Sequence, residues 1–171
     1  ENTTGYPVLM INAAKGEKIT VNFSEECQSD GSLDPTHIHG QQFTVISNGT
    51  ERLVQPEFTW FGFRYFKIEG NAIPVSVKEV HSDVAISSSF DCDNETMNWI
   101  YNTFIHSMLC NMHTGHPSDC PHLERRGYTG DGQLTCHAVL STMNGRAFYE
   151  KWLQDMQDNE FSHADGGNIE Y

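Results

Sequence analysis

The chain reads as an α+β protein, an antiparallel β-sandwich over residues 1–88 followed by helices over residues 89–171. Three observations lead there. Apolar residues recur with a period near two in the first half and near 3.6 in the second. The strand-like runs are short and separated by Gly and Asn turn signals, as in antiparallel sandwiches. A polar stretch, Ser87-Ser-Ser89 and Asp91-Cys-Asp93, lies between the two patterns.

Pro7-Val-Leu-Met-Ile11 and Lys18-Ile-Thr-Val-Asn-Phe23 are β-rich runs on either side of the turn signal Lys15-Gly16. Ile19, Val21 and Phe23 alternate with polar residues, as a half-buried strand does. Gln42–Ile46 is a third strand, and the Asn48-Gly49 pair after it predicts a hairpin. Trp60–Ile68 is rich in aromatic residues, and Val75–Ile86 alternates more loosely. Trp60 and Phe63 could form a face for stacking a ligand, but aromatic residues in strands usually pack inward, and core is the expectation. His37 and His39 are expected on one face of a strand.

In the second half Asp91 or Asp93 is placed to cap a helix, with Glu95 in its first turn. Met97, Ile100, Tyr101, Phe104, Ile105, Met108 and Leu109 then mark an amphipathic helix ending near Asn111. Leu134, Ala138 and Thr142 share one face of a second helix, which Asn144-Gly145 breaks. Phe148, Trp152 and Met156 mark a third, over about Arg146–Asn159. Phe161–Tyr171 has no clear period.

Composition narrows the function classes. The formal net charge is −13, which repels phosphate backbones and argues against nucleic-acid binding. No run of 18 apolar residues is present, so no membrane span is expected. Cys27, Cys92, Cys110, Cys120 and Cys136 form an odd, irregularly spaced set, which predicts at least one free thiol rather than a disulfide framework. Asn2, Asn22, Asn48 and Asn94 each open an Asn-x-Ser/Thr sequon. The sequence begins without Met or a signal pattern, so it reads as a piece of a longer chain whose compartment is undetermined.

Gly115–Gln133 holds the densest chemistry. Asp119, Glu124 and Asp131 lie there with Arg125, Arg126, two prolines and four glycines. On one helix the five-residue step from Asp119 to Glu124 would turn the side chains apart by roughly 140°. Pro117 and Pro121 argue against such a helix, and Gly127, Gly130 and Gly132 permit tight turns. A folded loop could therefore gather the acids, and mutual repulsion would raise the pKa of one member toward the range of a general acid. A solvated acidic loop partnered by its arginines is the alternative.

Asp119-Cys120-Pro121, Glu124-Arg125, Gly127-Tyr128 and Gly130-Asp131 resemble the catalytic signature of the α-L-rhamnosidases of glycoside hydrolase family 78, Asp-Cys-Pro-x-Arg-Glu-x-x-Gly-Trp-x-Gly-Asp. Pro56-Glu-Phe-Thr-Trp-Phe-Gly-Phe-Arg-Tyr65 resembles the family's Pro-x-Phe-Thr-x-x-Gly-Phe-Arg-Tyr. Ala14–Val21, followed by Glu25-Glu26, is a supporting match. The resemblance covers nearly the whole chain. It implies a concanavalin-like sandwich followed by the opening helices of a six-hairpin α/α barrel, cut short at Tyr171.

The resemblance also implies roles. Glu124 matches the general acid that protonates the leaving oxygen, and Asp119 and Asp131 match aspartates that contact the rhamnose ring. The reaction implied is hydrolysis with inversion, for which a second carboxylate must activate water on the opposite face. That base lies downstream in the family, and nothing around Glu160 or Glu170 matches it. Two positions depart from the pattern: Leu123 stands where the family has Arg, and Tyr128 where it has Trp. Arg125 or Arg126 could replace the lost cation; Arg125 and Tyr128 are expected as substrate-binding residues, Tyr128 still able to stack on a sugar. The expected ligand is a rhamnose-containing glycoside, whose neutrality suits an acidic chain; no cofactor is expected. Cys110, His113, His116, Cys120 and His122 could suggest zinc, but their spacing matches no known zinc motif. A non-catalytic carbohydrate-binding sandwich with attached helices, or another six-hairpin glycosidase, are the competing readings.

Overall fold

A computed structural model describes residues 1–162 of the chain, so residues 163–171, including Glu170, lie outside the described residues. The chain forms two compact units. The first is Glu1–Val80 together with Pro121–Leu123; the second is the remainder.

The first unit is the expected antiparallel sandwich. Strands β1 (Thr3–Ile11), β4 (Arg52–Val54), β5 (Phe61–Phe63) and β7 (Ala72–Glu79) form one sheet, in which β1 pairs antiparallel with each of the others. Strands β2 (Lys18–Ser24), β3 (Gln42–Ile46) and β6 (Tyr65–Glu69) form the other, with β2 in the middle. Leu9, Ile11, Ile19, Val21 and Phe23 are fully buried in a core drawn from both sheets. Burying each such side chain stabilises the fold by about 1.5–3 kcal/mol. Phe23 stacks on Phe61 with ring centroids 4.1 Å apart, and Phe63 is likewise core, as expected, whereas Trp60 is half-buried.

Two local expectations fail, and one aromatic run divides. Asn48-Gly49 does not close a hairpin: β3 pairs with β2 and β4 with β1, so the turn crosses from one sheet to the other. The aromatic run Trp60–Ile68 splits at Arg64 into β5 and β6, which likewise belong to different sheets. A period of two reports which residues face the core, not which strand is the partner. His37 and His39 do not share a strand face, because Asp34 caps a short 3₁₀ turn at Pro35–His37 and His39 has a positive φ of 48°.

The second unit is helical. Helix α1 (Glu95–Cys110) leads through the hairpin β8 (Met112–His113) and β9 (His116–Pro117) to a loop, then to α2 (Thr129–Thr142) and α3 (Arg146–Ser162). Asn94, not Asp91 or Asp93, caps α1, its Oδ1 accepting the N–H groups of Thr96 at 3.0 Å and Met97 at 3.3 Å. Asp91 instead accepts from the Asn98 side chain at 3.2 Å. The core joins Ile105, Met108, Met112, Val139, Met143, Phe148, Tyr149 and Trp152. Of the expected α1 stripe, Ile105 and Met108 are buried while Met97 and Ile100 are exposed. The expected α2 face is also corrected. Leu134 is 79% exposed, and the inward positions are Gly132 and Val139, with Cys136 half-buried. A glycine leaves no mark in an apolar pattern, and this one faces inward because the Trp152 ring lies against it. No helix among the described residues is long and apolar enough to cross a membrane.

Candidate active site

The loop between β9 and α2 is closed on itself. The Asp119 N–H donates to the Arg126 carbonyl at 3.1 Å, and the Arg126 N–H donates to Asp119 Oδ1 at 3.0 Å. Inside this ring the Cys120 thiol donates to Asp119 Oδ2 at 3.2 Å, and its sulfur accepts the Glu124 N–H at 3.4 Å. Arg125 completes the turn with a φ of 55°. Asp119 and Cys120 thus shape the loop that presents Glu124. Cys120 is a participant that spacing alone could not show, because its partners are a backbone N–H and its own neighbour.

Glu124 is exposed, and its Oε2 accepts a 2.6 Å hydrogen bond from the Tyr128 hydroxyl. That short bond to a carboxylate holds one rotamer of an otherwise mobile side chain. The hydrogen bond to Glu124 raises the Tyr128 phenol above its ordinary pKa, with burial, the Glu124 charge and the Asp119 charge acting in the same direction. Tyr128 therefore lies in the field of both acids. It also joins Arg126, Gly127, Thr129, Gly130, Asp131, Met156 and Asn159 in lining a cleft of ≈ 530 Å³. Asp131 sits there in the first turn of α2, where the helix dipole favours negative charge. Arg126 lines this cleft and Arg125 does not. The Arg125 guanidinium is half-buried, its pKa lowered by that burial, and its charge adds to the lowering of the His113 pKa.

Trp152 is a further residue that motif reading missed. A Cβ on Gly132 would lie 2.1 Å from its Cη2, and one on Gly127 would lie 3.2 Å from its Nε1. At Gly132 a buried indole occupies the space a side chain would need, and at Gly127 the His116 ring at 3.1 Å and the indole leave little room, which seats the loop's end and the start of α2 on α3.

The histidines take separate places. His113 is buried, and its Nε2–H donates to the Cys110 carbonyl at 3.0 Å. Burial lowers its pKa to about 4, against the opposing effect of that hydrogen bond. His116 Nδ1 pairs with the Thr114 hydroxyl at 3.2 Å, whereas His122 belongs to the sandwich unit. Among the described residues no group of three or more His, Cys, Asp or Glu side chains is placed to hold a metal ion. All five cysteines are free thiols.

Known proteins resemble the chain along nearly its full length. A curated α-L-rhamnosidase of Formosa agariphila is 28% identical over 92% of this chain, and one of Streptomyces avermitilis is 23% identical over 95%. The solved α-L-rhamnosidase from Dictyoglumus thermophilum superposes with a TM-score of 0.80 at 29% identity, covering 92% of this chain and 19% of that one. The Streptomyces avermitilis enzyme solved with L-rhamnose also gives 0.80, at 24% identity, covering 92% of this chain and 16% of that one; at that identity it speaks for the fold alone. The chain spans 18% and 16% of the lengths of the two curated relatives. Residues 1–86 match the bacterial alpha-L-rhamnosidase concanavalin-like domain and residues 86–168 the bacterial alpha-L-rhamnosidase 6 hairpin glycosidase domain, and the chain therefore belongs to the bacterial α-L-rhamnosidase family.

Proposed function

We propose that this chain carries the acid side of a glycosidase site that releases terminal α-L-rhamnose from glycosides or oligosaccharides with inversion. The observation that carries the reading is Tyr128. Its hydroxyl holds the Glu124 carboxyl at 2.6 Å, and the same residue lines a cleft with Asp131 and Arg126. Glu124 in its protonated form gives its proton to the leaving oxygen. Asp131 and Arg126 supply an acceptor and donors for the hydroxyls of a neutral deoxysugar, and the Tyr128 ring offers a face for its apolar side. Asp119, with a hydrogen bond on each oxygen, keeps a lone pair on each for the same ring. Arg125 is half-buried and does not line the cleft, so Arg126 takes the role of the cation there.

Inversion needs a carboxylate on the opposite face, and no residue of this chain is assigned that role. The 171-residue chain alone is therefore expected not to turn over substrate. The test is Glu124→Gln in the complete enzyme, which keeps the shape and removes the proton. We expect a loss of roughly 10²–10⁴-fold in kcat on an unactivated rhamnoside, and a smaller loss on aryl rhamnosides, whose leaving groups need less protonation. Hydrolysis of the unactivated substrate at the parent rate would remove Glu124 from the mechanism.

A further inference from the structure

Trp152 marks the inner face of α3. It is buried and lies against Gly132 in α2, where a Cβ would stand 2.1 Å from its Cη2. On a helix the residue four positions on stands one turn, about 5.4 Å, further along the same face. On α3 that residue is Met156. It packs against the core that includes Trp152 and Val139, and it lines the cleft with Tyr128, Thr129 and Asp131. Met156 stays half-buried, so its side chain spans from the core to the cleft.

The rest of the cleft is polar. Arg126, Thr129, Asp131 and Asn159 bring charged or hydrogen-bonding side chains, and Gly127 and Gly130 bring only backbone. The Tyr128 hydroxyl is engaged by Glu124 at 2.6 Å, and its ring is the one aromatic surface among the described lining residues. Met156 is the one aliphatic side chain among them. The volume of ≈ 530 Å³ lies in the range of pockets that enclose small ligands.

A 6-deoxyhexose carries hydroxyls around its ring and one purely apolar substituent, the C6 methyl group. The polar walls serve the hydroxyls, and a methyl group gains nothing from them. An unbranched, polarisable thioether adapts its shape to a small apolar group. Moving one CH₂-sized group from water into apolar contact favours binding roughly fourfold. The counterpart sugar with a hydroxyl at C6 would set that hydroxyl against Met156, which offers only a weakly accepting sulfur. Taking a hydroxyl from water without replacing its hydrogen bonds costs roughly tenfold or more in affinity.

We propose that Met156 is a specificity-determining residue: its side chain receives the C6 methyl group of the terminal sugar and disfavours the 6-hydroxy sugar of otherwise identical stereochemistry. This inference rests on the reading of the cleft as the place where rhamnose binds. Met156 takes no part in proton transfer; it acts on which sugar is accepted.

The experiment compares kcat/KM in the complete enzyme for an aryl α-L-rhamnoside and for the aryl α-L-mannoside that differs from it only by the 6-hydroxyl. The ratio of the two values on one preparation does not depend on how much of that preparation is folded. Met156→Gln keeps the length and makes the end polar, while Met156→Leu keeps it apolar. Met156→Gln is expected to lower the rhamnoside-to-mannoside ratio roughly tenfold, and Met156→Leu to hold it within roughly threefold. Where Met156→Gln gives no folded enzyme, Met156→Ala takes its place. An unchanged ratio in Met156→Gln, beside a parent enzyme that prefers the rhamnoside, would overturn the proposal and leave Met156 a packing residue. An equal fall in Met156→Gln and Met156→Leu would also overturn it, because the effect would not follow the apolar character of the side chain. A parent ratio near one would instead refute the assignment of the cleft to rhamnose. Calorimetric binding of free L-rhamnose and L-mannose to the complete enzyme repeats the comparison without the chemical step, and the same roughly tenfold loss of preference is expected in Met156→Gln. A Glu124→Gln enzyme of parent activity would therefore remove the acid assignment, and the binding comparison would still decide the role of Met156.

Discussion

Replacing Gly132 by Ala sets two measurable effects against each other. Inside a helix alanine is favoured over glycine by about 0.8–1.0 kcal/mol, and Gly132 has no positive φ to forbid the change. The opposing effect is steric. The new Cβ would lie 2.1 Å from Trp152 Cη2, 2.5 Å from Cζ3 and 2.9 Å from Cζ2, where carbon atoms settle at about 3.5–4.0 Å. The indole is 8% exposed, packs edgewise on Tyr149 with centroids 6.1 Å apart, and has Gly127 against its Nε1. It cannot withdraw without opening those contacts. Overpacking of this kind costs about 1–3 kcal/mol, and an overlap beyond 1 Å with a rigid ring belongs at the upper end. The steric cost wins, with a net destabilisation of about 2 kcal/mol. In a unit of this size that lowers the midpoint of its thermal transition by roughly 10 °C. Thermal unfolding monitored by near-ultraviolet circular dichroism reads the effect through Trp152 itself. The control is the Trp152→Leu background, where Gly132→Ala is expected to be neutral or stabilising, giving a coupling energy of opposite sign. A Gly132→Ala chain with an unchanged or higher midpoint in the parent background would refute the argument that the indole is why this position is glycine.

Two titrations test the electrostatics. His113 ionises near 4 when folded and near 6.5 when unfolded, so the unfolded state binds the extra proton between those values; stability from this residue is full above about pH 6.5 and is lost as pH falls toward 4. Denaturant unfolding across that window is expected to show a loss of roughly 2–3 kcal/mol that His113→Gln abolishes, and an unchanged slope in the variant would disprove burial as its source. The Tyr128 phenol is expected to ionise above its ordinary 10.0 in ultraviolet difference absorbance and to fall back toward it in Glu124→Gln; equal midpoints in the two proteins would mean that the hydroxyl does not hold that carboxylate in solution.

The sequence alone determined the change from sandwich to helices, since a period of two in Ile19, Val21 and Phe23 and a period near 3.6 from Tyr101 to Leu109 each follow from where a core lies relative to one element. It also singled out one loop as the candidate site, because Asp119, Glu124 and Asp131 with their glycines and prolines make a pattern local in the chain. It did not determine strand partners: Asn48-Gly49 looks like a hairpin turn, yet it sends the chain from one sheet to the other, as does the break at Arg64. Nor did it show that α2 faces inward with Gly132 and Val139 rather than Leu134, since a glycine carries no hydropathy and its partner Trp152 lies on another helix. Only the tertiary structure decided how each site residue is held. Tyr128 meets Glu124, and Cys120 bridges Asp119 and the Glu124 amide. The physical reason is that amphipathic period depends on residues a few positions apart, whereas hydrogen bonds and close approaches between distant segments depend on the path of the whole chain.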